Sequence, residues 1–337
     1  MFASQLSNHL EQKGHNVSLI SIFGNEQALP FNGEIIHLNR PLGFRFWDLR
    51  GWYEFSEMIK SRKPDIIQAN AADTLKFAIL SKFFFRWTTP VVFRNASTIS
   101  AYIRSRPALW FNRFLLRKTT FIVSVSDYSR NDFLSVFPLM KNRIETIPVG
   151  LEMGRPLEAS KQNYLIHVGG FTFEKNHQGL LRIMKSLIMD DPGLQLLLVG
   201  DGPLFNHIVK LAAELGIEKN VKFLGYRQDV LPLIVQARVL LLPSLIEGLP
   251  AVVLEAMFLK VPVVAYDVGG ISELIDHDKT GLLVTRGDEI QFKISVQKAL
   301  HDVNADGMLQ AAFDKVTHNF DNSKLADRFI TVFEELI

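Results

Sequence analysis

Short runs of β-branched and other apolar residues alternate along this chain with longer stretches whose apolar positions recur every three or four residues. That alternation predicts strand–helix–strand units built around parallel sheets. In the first half it predicts strands at Val17–Phe23, Glu34–Leu38, Asp65–Gln68, Val91–Arg94, Phe121–Val125 and Arg143–Ile147. Helical periodicity lies near Trp47–Arg62, Thr74–Arg86, Pro107–Lys118 and Asp127–Phe137. Ser126 suits an N-cap for the last of these, and Pro138 stops it. Pro148, Gly150, Gly154 and Pro156 then interrupt the pattern as a linker does.

Beyond the linker the alternation restarts. Strands are expected at Tyr164–Val168, Leu194–Val199, Val221–Leu224, Val239–Leu242, Val261–Ala265 and Leu282–Val284. Helices are expected near Glu174–Met189, Leu204–Leu215, Asp229–Gln236, Ala251–Leu259, Ile271–Asp276, Glu289–His301 and Lys324–Leu336. Several of these strands are almost wholly apolar, as strands covered by helices on both faces are. The expected fold class is therefore α/β: two doubly wound parallel-sheet domains over residues 1–150 and 151–320, with a final helical segment at 321–337. Ligands of such sheets bind beyond the carboxyl ends of the strands, so the residues just after strands carry the functional information.

Composition narrows the class. A length of 337 residues suits two domains, and 47% hydrophobic with 21% charged residues excludes a disordered or fibrous chain. No apolar run approaches the roughly 18 residues that cross a bilayer. Met1–Leu10 does not read as a secretory signal, and the absence of cysteine excludes disulfides and thiolate metal sites, so a cytoplasmic location is expected. Charge is uneven: residues 1–150 hold 19 basic against 11 acidic side chains, the remainder 18 against 24. A basic first half fits an anionic partner or membrane surface, or is simply a solvated face. The cations are spread and no recognition motif accompanies them, so nucleic acid is not an expected partner.

The most informative segment runs from Ser244 through Glu247, Gly248, Leu249, Pro250, Ala251 and Val252 to Glu255. A strand ends before it, and Pro250 is expected in the first turn of a helix. The amides of residues 251 and 252 then offer an anion site. A carboxylate beside such a site is explained if it accepts hydrogen bonds from sugar or ribose hydroxyls; the plainer alternative is that Glu247 complements the helix dipole and Glu255 is a surface residue. A second element, Gly169-Gly170 followed by Lys175, places paired glycines after a strand and a cation at the expected helix start. A third, Gly200-Asp201-Gly202, imitates part of a dinucleotide fingerprint, but its third glycine is missing. The next strand leads into Gly225 and Tyr226 rather than a carboxylate for a ribose, which removes the NAD-dependent dehydrogenase reading. The fourth is Gly269-Gly270 between a strand and a helix.

With these motifs the sequence resembles the family-4 retaining glycosyltransferases, whose GT-B fold sets two Rossmann-like domains facing across a cleft. The likeness covers nearly the whole chain and is densest from His167 to Gly287. It implies that Glu247 contacts the donor sugar, Glu255 the ribose, Ala251 and Val252 the phosphates, and Gly225-Tyr226 the nucleobase. Gly169, Gly170, Gly248, Gly269 and Gly270 complete the implied donor site, with Lys175 neutralising the diphosphate. It further implies that the segment 321–337 crosses back onto the first domain. No protein nucleophile, cofactor or metal is implied; Asp276-x-Asp278 falls where the family has an ordinary loop. The implied reaction moves a sugar from a nucleoside diphosphate to a glycan or lipid-linked glycan, in bacterial surface polysaccharide synthesis. The alternative is a non-catalytic sugar-nucleotide-binding subunit.

Three departures matter. Gly170 stands where the family usually has an arginine, leaving Lys175 alone or with Arg94 or Arg286 as substitutes. Asn95 stands near the usual place of a histidine that positions the donor sugar, and is either its catalytic stand-in or a loop-capping residue. Residues 1–10 already read as the first helix, so the first domain is expected to lack its first strand, leaving a gap in its sheet. On the acceptor side, aromatic and basic residues interleave at Phe44–Trp47, Arg50–Tyr53, Phe83–Trp87 and Trp110–Lys118. These are either a peripheral membrane contact or core rings, the latter expected for Phe84 and Phe114.

Overall fold

A computed structural model describes residues 2–23, 30–44, 47–103, 105–301 and 305–337. The chain forms two compact units, Met1–Glu152 with Asn322–Ile337, and Met153–Asp321.

The first unit runs α1 (Phe2–Gln12), β1 (Ser18–Phe23), β2 (Glu34–Arg40), α2 (Leu49–Arg62), β3 (Ile67–Ala69), α3 (Ala72–Phe85), β4 (Val91–Asn95), α4 (Arg106–Lys118), β5 (Phe121–Ser124), α5 (Asp127–Val136) and β6 (Ile144–Thr146). Alternation along β4 explains the layering. Val91 and Phe93 join Trp52, Phe77, Leu115 and Phe133 in a core that draws on α2 to α5. Val92 points the other way, with Val123 and Ile147, into a second core. Among the described residues the strands form two parallel sheets, β1-β2 and β3-β4-β5-β6, and no ladder joins β1 to β3. Ser126 caps α5 as expected, its Oγ accepting from the Ser129 amide at 3.0 Å.

The second unit runs β7 (Tyr164–Val168), α6 (His177–Ile188), β8 (Gln195–Val199), α7 (Phe205–Glu214), β9 (Val221–Phe223), α8 (Leu231–Gln236), β10 (Val239–Leu242), α9 (Ala251–Phe258), β11 (Val263–Tyr266), α10 (Ile271–Leu274), β12 (Leu282–Val284), α11 (Glu289–His301) and α12 (Ala305–Asn319). Its six strands make one parallel sheet in the order β12-β11-β10-β7-β8-β9. Leu165, Ile166, Leu196, Leu198, Leu240 and Leu241 are fully buried, the reason these strands read as unbroken apolar runs. The last helix, α13 (Asn322–Glu334), returns to the first unit. Its Leu325, Ala326, Phe329 and Val332 meet Leu6 and Leu10 of α1 in the second core.

Several expectations need correction. The helix α12 was not anticipated, although Met308, Leu309, Ala312, Phe313 and Val316 carry its apolar spacing. Phe84 is not a core ring: it is half-exposed and stacked on Trp52 at 5.4 Å. Trp52 and Trp87 are buried and belong to no surface patch, whereas Trp47 and Trp110 are exposed. Phe114 is partly buried and packs edge-on against Phe83. Arg45 and Phe46 lie outside the described residues. No helix among the described residues is long and apolar enough to cross a membrane.

Candidate functional site

The second sheet reverses its winding between β7 and β10, which pair directly although β8 and β9 intervene in sequence. At such a reversal the connections leave toward opposite faces, and a crevice opens beyond the strand ends. The chain leaving β7 carries Gly169, Gly170 and Lys175; the chain leaving β10 carries Glu247 and Gly248. Lys175 Nζ lies 2.5 Å from Glu247 Oε1, and only 8% of Glu247 is exposed. Lysine and glutamate, 72 positions apart, thus form one ion pair at the switch point.

The backbone around this pair is over-determined. Lys175 ends a short 3-10 turn, Phe173–Lys175, instead of sitting inside α6 as the periodicity predicts. The reason is Asn176, which adopts a left-handed conformation (φ 52°) and caps α6, its Oδ1 accepting from the Gly179 amide at 3.2 Å. The Asn176 Nδ2 donates to the Pro243 carbonyl at 3.0 Å, and the Leu245 amide donates to the Glu174 carbonyl at 2.7 Å. Both bonds tie the lysine turn to the glutamate loop. Sequence reasoning missed Asn176, although a polar residue able to enter the left-handed region just before a helix was its signal.

Glycines close the remaining gaps. Gly269 has φ +61°, and a Cβ there would stand 2.0 Å from the Glu247 carbonyl oxygen. The neighbouring Gly270 amide donates to the Gly248 carbonyl at 2.8 Å. A Cβ on Gly200 would stand 2.0 Å from the Gly169 carbonyl oxygen, while the Gly200 amide donates to the Gly225 carbonyl at 2.8 Å. Gly225, Gly200, Gly169, Lys175, Glu247, Gly269 and Gly270 therefore form a chain of contacts along one edge of the sheet. Tyr226 follows Gly225 with an exposed ring, and Gly170 meets no atom closer than 3.6 Å at its Cβ position.

Directly after Glu247, α9 begins. Pro250 is its N-cap rather than its first helical residue, and it offers no side-chain acceptor. The amides of Ala251 and Val252 consequently keep their first-turn donors. Glu255 lies one turn further on, partly buried, and burial alone pushes its carboxyl above the ordinary range. Among the described residues no neighbouring cation offsets that burial, which leaves the carboxyl able to accept from hydroxyl groups.

Two buried histidines adjoin Lys175. His177 stacks on Phe171 at 4.0 Å and meets His167 edge-on at 4.8 Å, while the His167 Nδ1 bonds the Leu241 carbonyl at 2.8 Å. Burial, with Lys175 adding a smaller push, lowers His167 to about 4. His177 is lowered further by burial, His167 and Lys175. Both are neutral at pH 7. Because folding depresses these values, the unfolded chain binds more protons as pH falls below about 6.5, and stabilisation present at pH 7 is lost toward pH 4. The expected cost at pH 5 is about 2 kcal/mol per histidine. Urea melts at pH 7 and 5 should show this loss, and His177→Phe should shrink it; equal pH dependence in that variant would remove the histidine account.

Of the other sequence candidates, Asn95 belongs to the first unit. It is buried, and its Nδ2 donates to Ser124 Oγ (3.2 Å) and the Ser129 carbonyl (3.3 Å), tying β4 to β5 and α5. Arg286 is exposed after β12. Asp276 and Asp278 are each paired with a lysine, Lys315 at 3.0 Å and Lys298 at 2.6 Å.

The family model for glycosyl transferases group 1 matches residues 152–315, and the model for glycosyltransferase family 4 matches residues 1–155. The N-acetyl-alpha-D-glucosaminyl L-malate synthase of Bacillus anthracis is 32% identical over 180 residues, 53% of this chain and 47% of that enzyme. A Campylobacter jejuni alpha-1,4-N-acetyl-D-galactosaminyltransferase, named for a diphosphoundecaprenol-linked (PP-undecaprenol) glycan, is 25% identical over 96% of this chain and 91% of its own. In two of the curated matches the chain spans only 47% and 61% of the relative's length. Anabaena HepE, solved in complex with UDP-glucose, matches the fold with a TM-score of 0.78 at 21% identity, covering 91% of this chain and 86% of that one. Two family models that meet near residue 152, the boundary between the two parallel-sheet units, leave one assignment: the chain belongs to the family-4 glycosyltransferases of GT-B fold.

Proposed function

We propose that this protein is a retaining glycosyltransferase that moves a sugar from a nucleoside-diphosphate donor to a glycan or lipid-linked glycan during surface polysaccharide synthesis. The observation that carries the reading is the Lys175–Glu247 pair at the switch point, followed at once by the uncapped start of α9. In this reading the Ala251 and Val252 amides hold the diphosphate and Lys175 offsets the charge that grows on it as the bond to the anomeric carbon breaks. Glu247 accepts from the donor-sugar hydroxyls and Glu255 from the ribose. The new bond forms on the face the diphosphate leaves, and a departing phosphate oxygen takes the proton of the incoming hydroxyl. The chain supplies position and charge rather than a nucleophile, and no metal is needed.

A second reading, donor binding without transfer, draws on Gly170 and on the engagement of Lys175 with Glu247. Thermal shift against UDP-, GDP- and ADP-sugars tests the shared premise. The matching nucleotide at 100 times its Kd should add about 2.7 kcal/mol of stability, a rise in Tm of about 5 °C or more. HepE was solved with UDP-glucose, so the uridine arm is expected to respond. No shift with any sugar nucleotide would sink both readings; a shift without sugar transfer to any acceptor would leave the second.

A further inference from the structure

Three contacts tie together the two loops that carry Lys175 and Glu247. The Asn176 Nδ2 donates to the Pro243 carbonyl at 3.0 Å, the Leu245 amide to the Glu174 carbonyl at 2.7 Å, and Lys175 Nζ to Glu247 Oε1 at 2.5 Å. Pro243, Leu245 and Glu247 are alternate residues of the loop after β10, while Glu174, Lys175 and Asn176 are consecutive in the turn after β7. One contact is main chain to main chain, one is the ion pair, and one runs through a side-chain amide. A donor would not treat them alike. In the transferase reading Lys175 turns to the diphosphate and Glu247 to the sugar, so the donor takes the ion pair apart. The Leu245 and Asn176 bonds then hold the loops.

Several features fix the Asn176 amide. The residue sits at φ 52°, a conformation that asparagine tolerates better than most residues with a Cβ. Its Oδ1 accepts from the Gly179 amide at 3.2 Å, which leaves Nδ2 to reach the other loop. Gly179 makes the room: a Cβ there would stand 2.5 Å from the Asn176 Nδ2 and 2.9 Å from its Oδ1. Glycine within a helix is otherwise less favourable than alanine. A cap alone asks for less, since an aspartate would accept from the Gly179 amide equally well. The carboxamide adds a donor, and that donor goes to the glutamate loop.

We infer that Asn176 is a positioning residue for the transfer step: its bond to Pro243 keeps the lysine turn and the glutamate loop in register once the donor has drawn Lys175 and Glu247 apart. The inference rests on the transferase reading above and adds to it a residue that acts through Lys175 and Glu247.

Two variants remove the bridge in different ways. Asn176→Asp keeps the helix cap and loses the donor. Asn176→Gly keeps the left-handed turn, loses both cap and donor, and brings no charge. The probe is UDP-glucose, replaced by GDP- or ADP-glucose if one of those is what the parent binds. Release of the nucleoside diphosphate should fall at least about tenfold in kcat in both variants, with its Kd within about threefold, because a small misplacement of a catalytic group costs rate more than binding. On top of Glu247→Gln, the further loss from Asn176→Gly should shrink to about threefold or less, since residues that act as a unit are not additive. Amide exchange reads the same brace without turnover. In the donor complex Leu245 should exchange at least about tenfold faster in Asn176→Gly than in the parent; in the free proteins, where the ion pair still holds the loops, the two should agree within about threefold.

A loss of kcat in Asn176→Asp alone assigns the effect to the added charge, and a loss in Asn176→Gly alone assigns it to the helix cap; either overturns the proposal. So does a further tenfold loss on top of Glu247→Gln, or a Leu245 amide as protected in the bound variant as in the bound parent. If the parent binds none of the three sugar nucleotides, the transferase reading itself fails. If it binds one without turnover, the Leu245 exchange decides alone. A parent that turns its donor over while both variants match it removes only the role of Asn176.

Discussion

Glu247→Gln is expected to lower kcat about 100- to 1,000-fold while leaving the Kd for the nucleoside diphosphate within about threefold. The substitution keeps the shape of the side chain and removes its charge. Its proposed contact is to the sugar, so the loss falls on transfer. In the proposed binding mode the diphosphate depends instead on the α9 amides and on Lys175, which is 2.5 Å from the carboxylate in the free protein. Removing that carboxylate frees the ammonium, so any change in nucleotide affinity should be a gain. Steady-state transfer kinetics alongside calorimetry with UDP separate the two effects. Unchanged kcat would take Glu247 out of the reaction, and a matching fall in nucleotide affinity would make it a scaffold for the phosphate site.

Gly269→Ala should be among the most damaging single methyl groups in the second unit, alongside Gly200→Ala. A Cβ there would stand 2.0 Å from the Glu247 carbonyl oxygen and 2.7 Å from its carbon, and the backbone is already at φ +61°. Both objects it would strike are main chain, so no side chain can swing aside. The left-handed conformation adds about 1–2 kcal/mol for any residue with a Cβ, and the overlap adds about 1–3 kcal/mol more. A fall in Tm of about 5–10 °C with near-complete loss of transfer is expected. If the variant melts like the parent and keeps its activity, the tight seating of the Glu247 loop on Gly269 is not needed.

The sequence carried most of the second unit because burial on both faces writes its strands as plain apolar runs, Leu196–Val199 and Val239–Leu242 among them. The gathering of the candidate residues after those strands was legible for a related reason: in a parallel sheet every strand ends on the same edge, so position in the pattern fixes position in space. Pairings were not legible. Nothing in the spacing of Lys175 and Glu247 says that they form one ion pair, because that contact depends on β7 lying beside β10. The fate of Asn176 was hidden by helical periodicity that runs through it. Arg94 was noticed only as a spare cation; its burial against the Phe2 ring is a fact of packing. Phe84 was misjudged because a helix as apolar as α3 gives no phase by which to tell its inner face from its outer one.

The division of the first unit's strands has a consequence for how that unit breathes. In the second unit β7 sits between β8 and β10 and locks the two wings with main-chain bonds. Between β1 and β3 no such ladder exists among the described residues, and the wings are joined by side chains, with Ile22 in the shared core and Phe23 edge-on to Phe77 at 5.9 Å. Amide protons of β1 and β2 should therefore exchange with solvent through a local opening that leaves β4 and β5 protected, making this corner the earliest to yield to protease or denaturant.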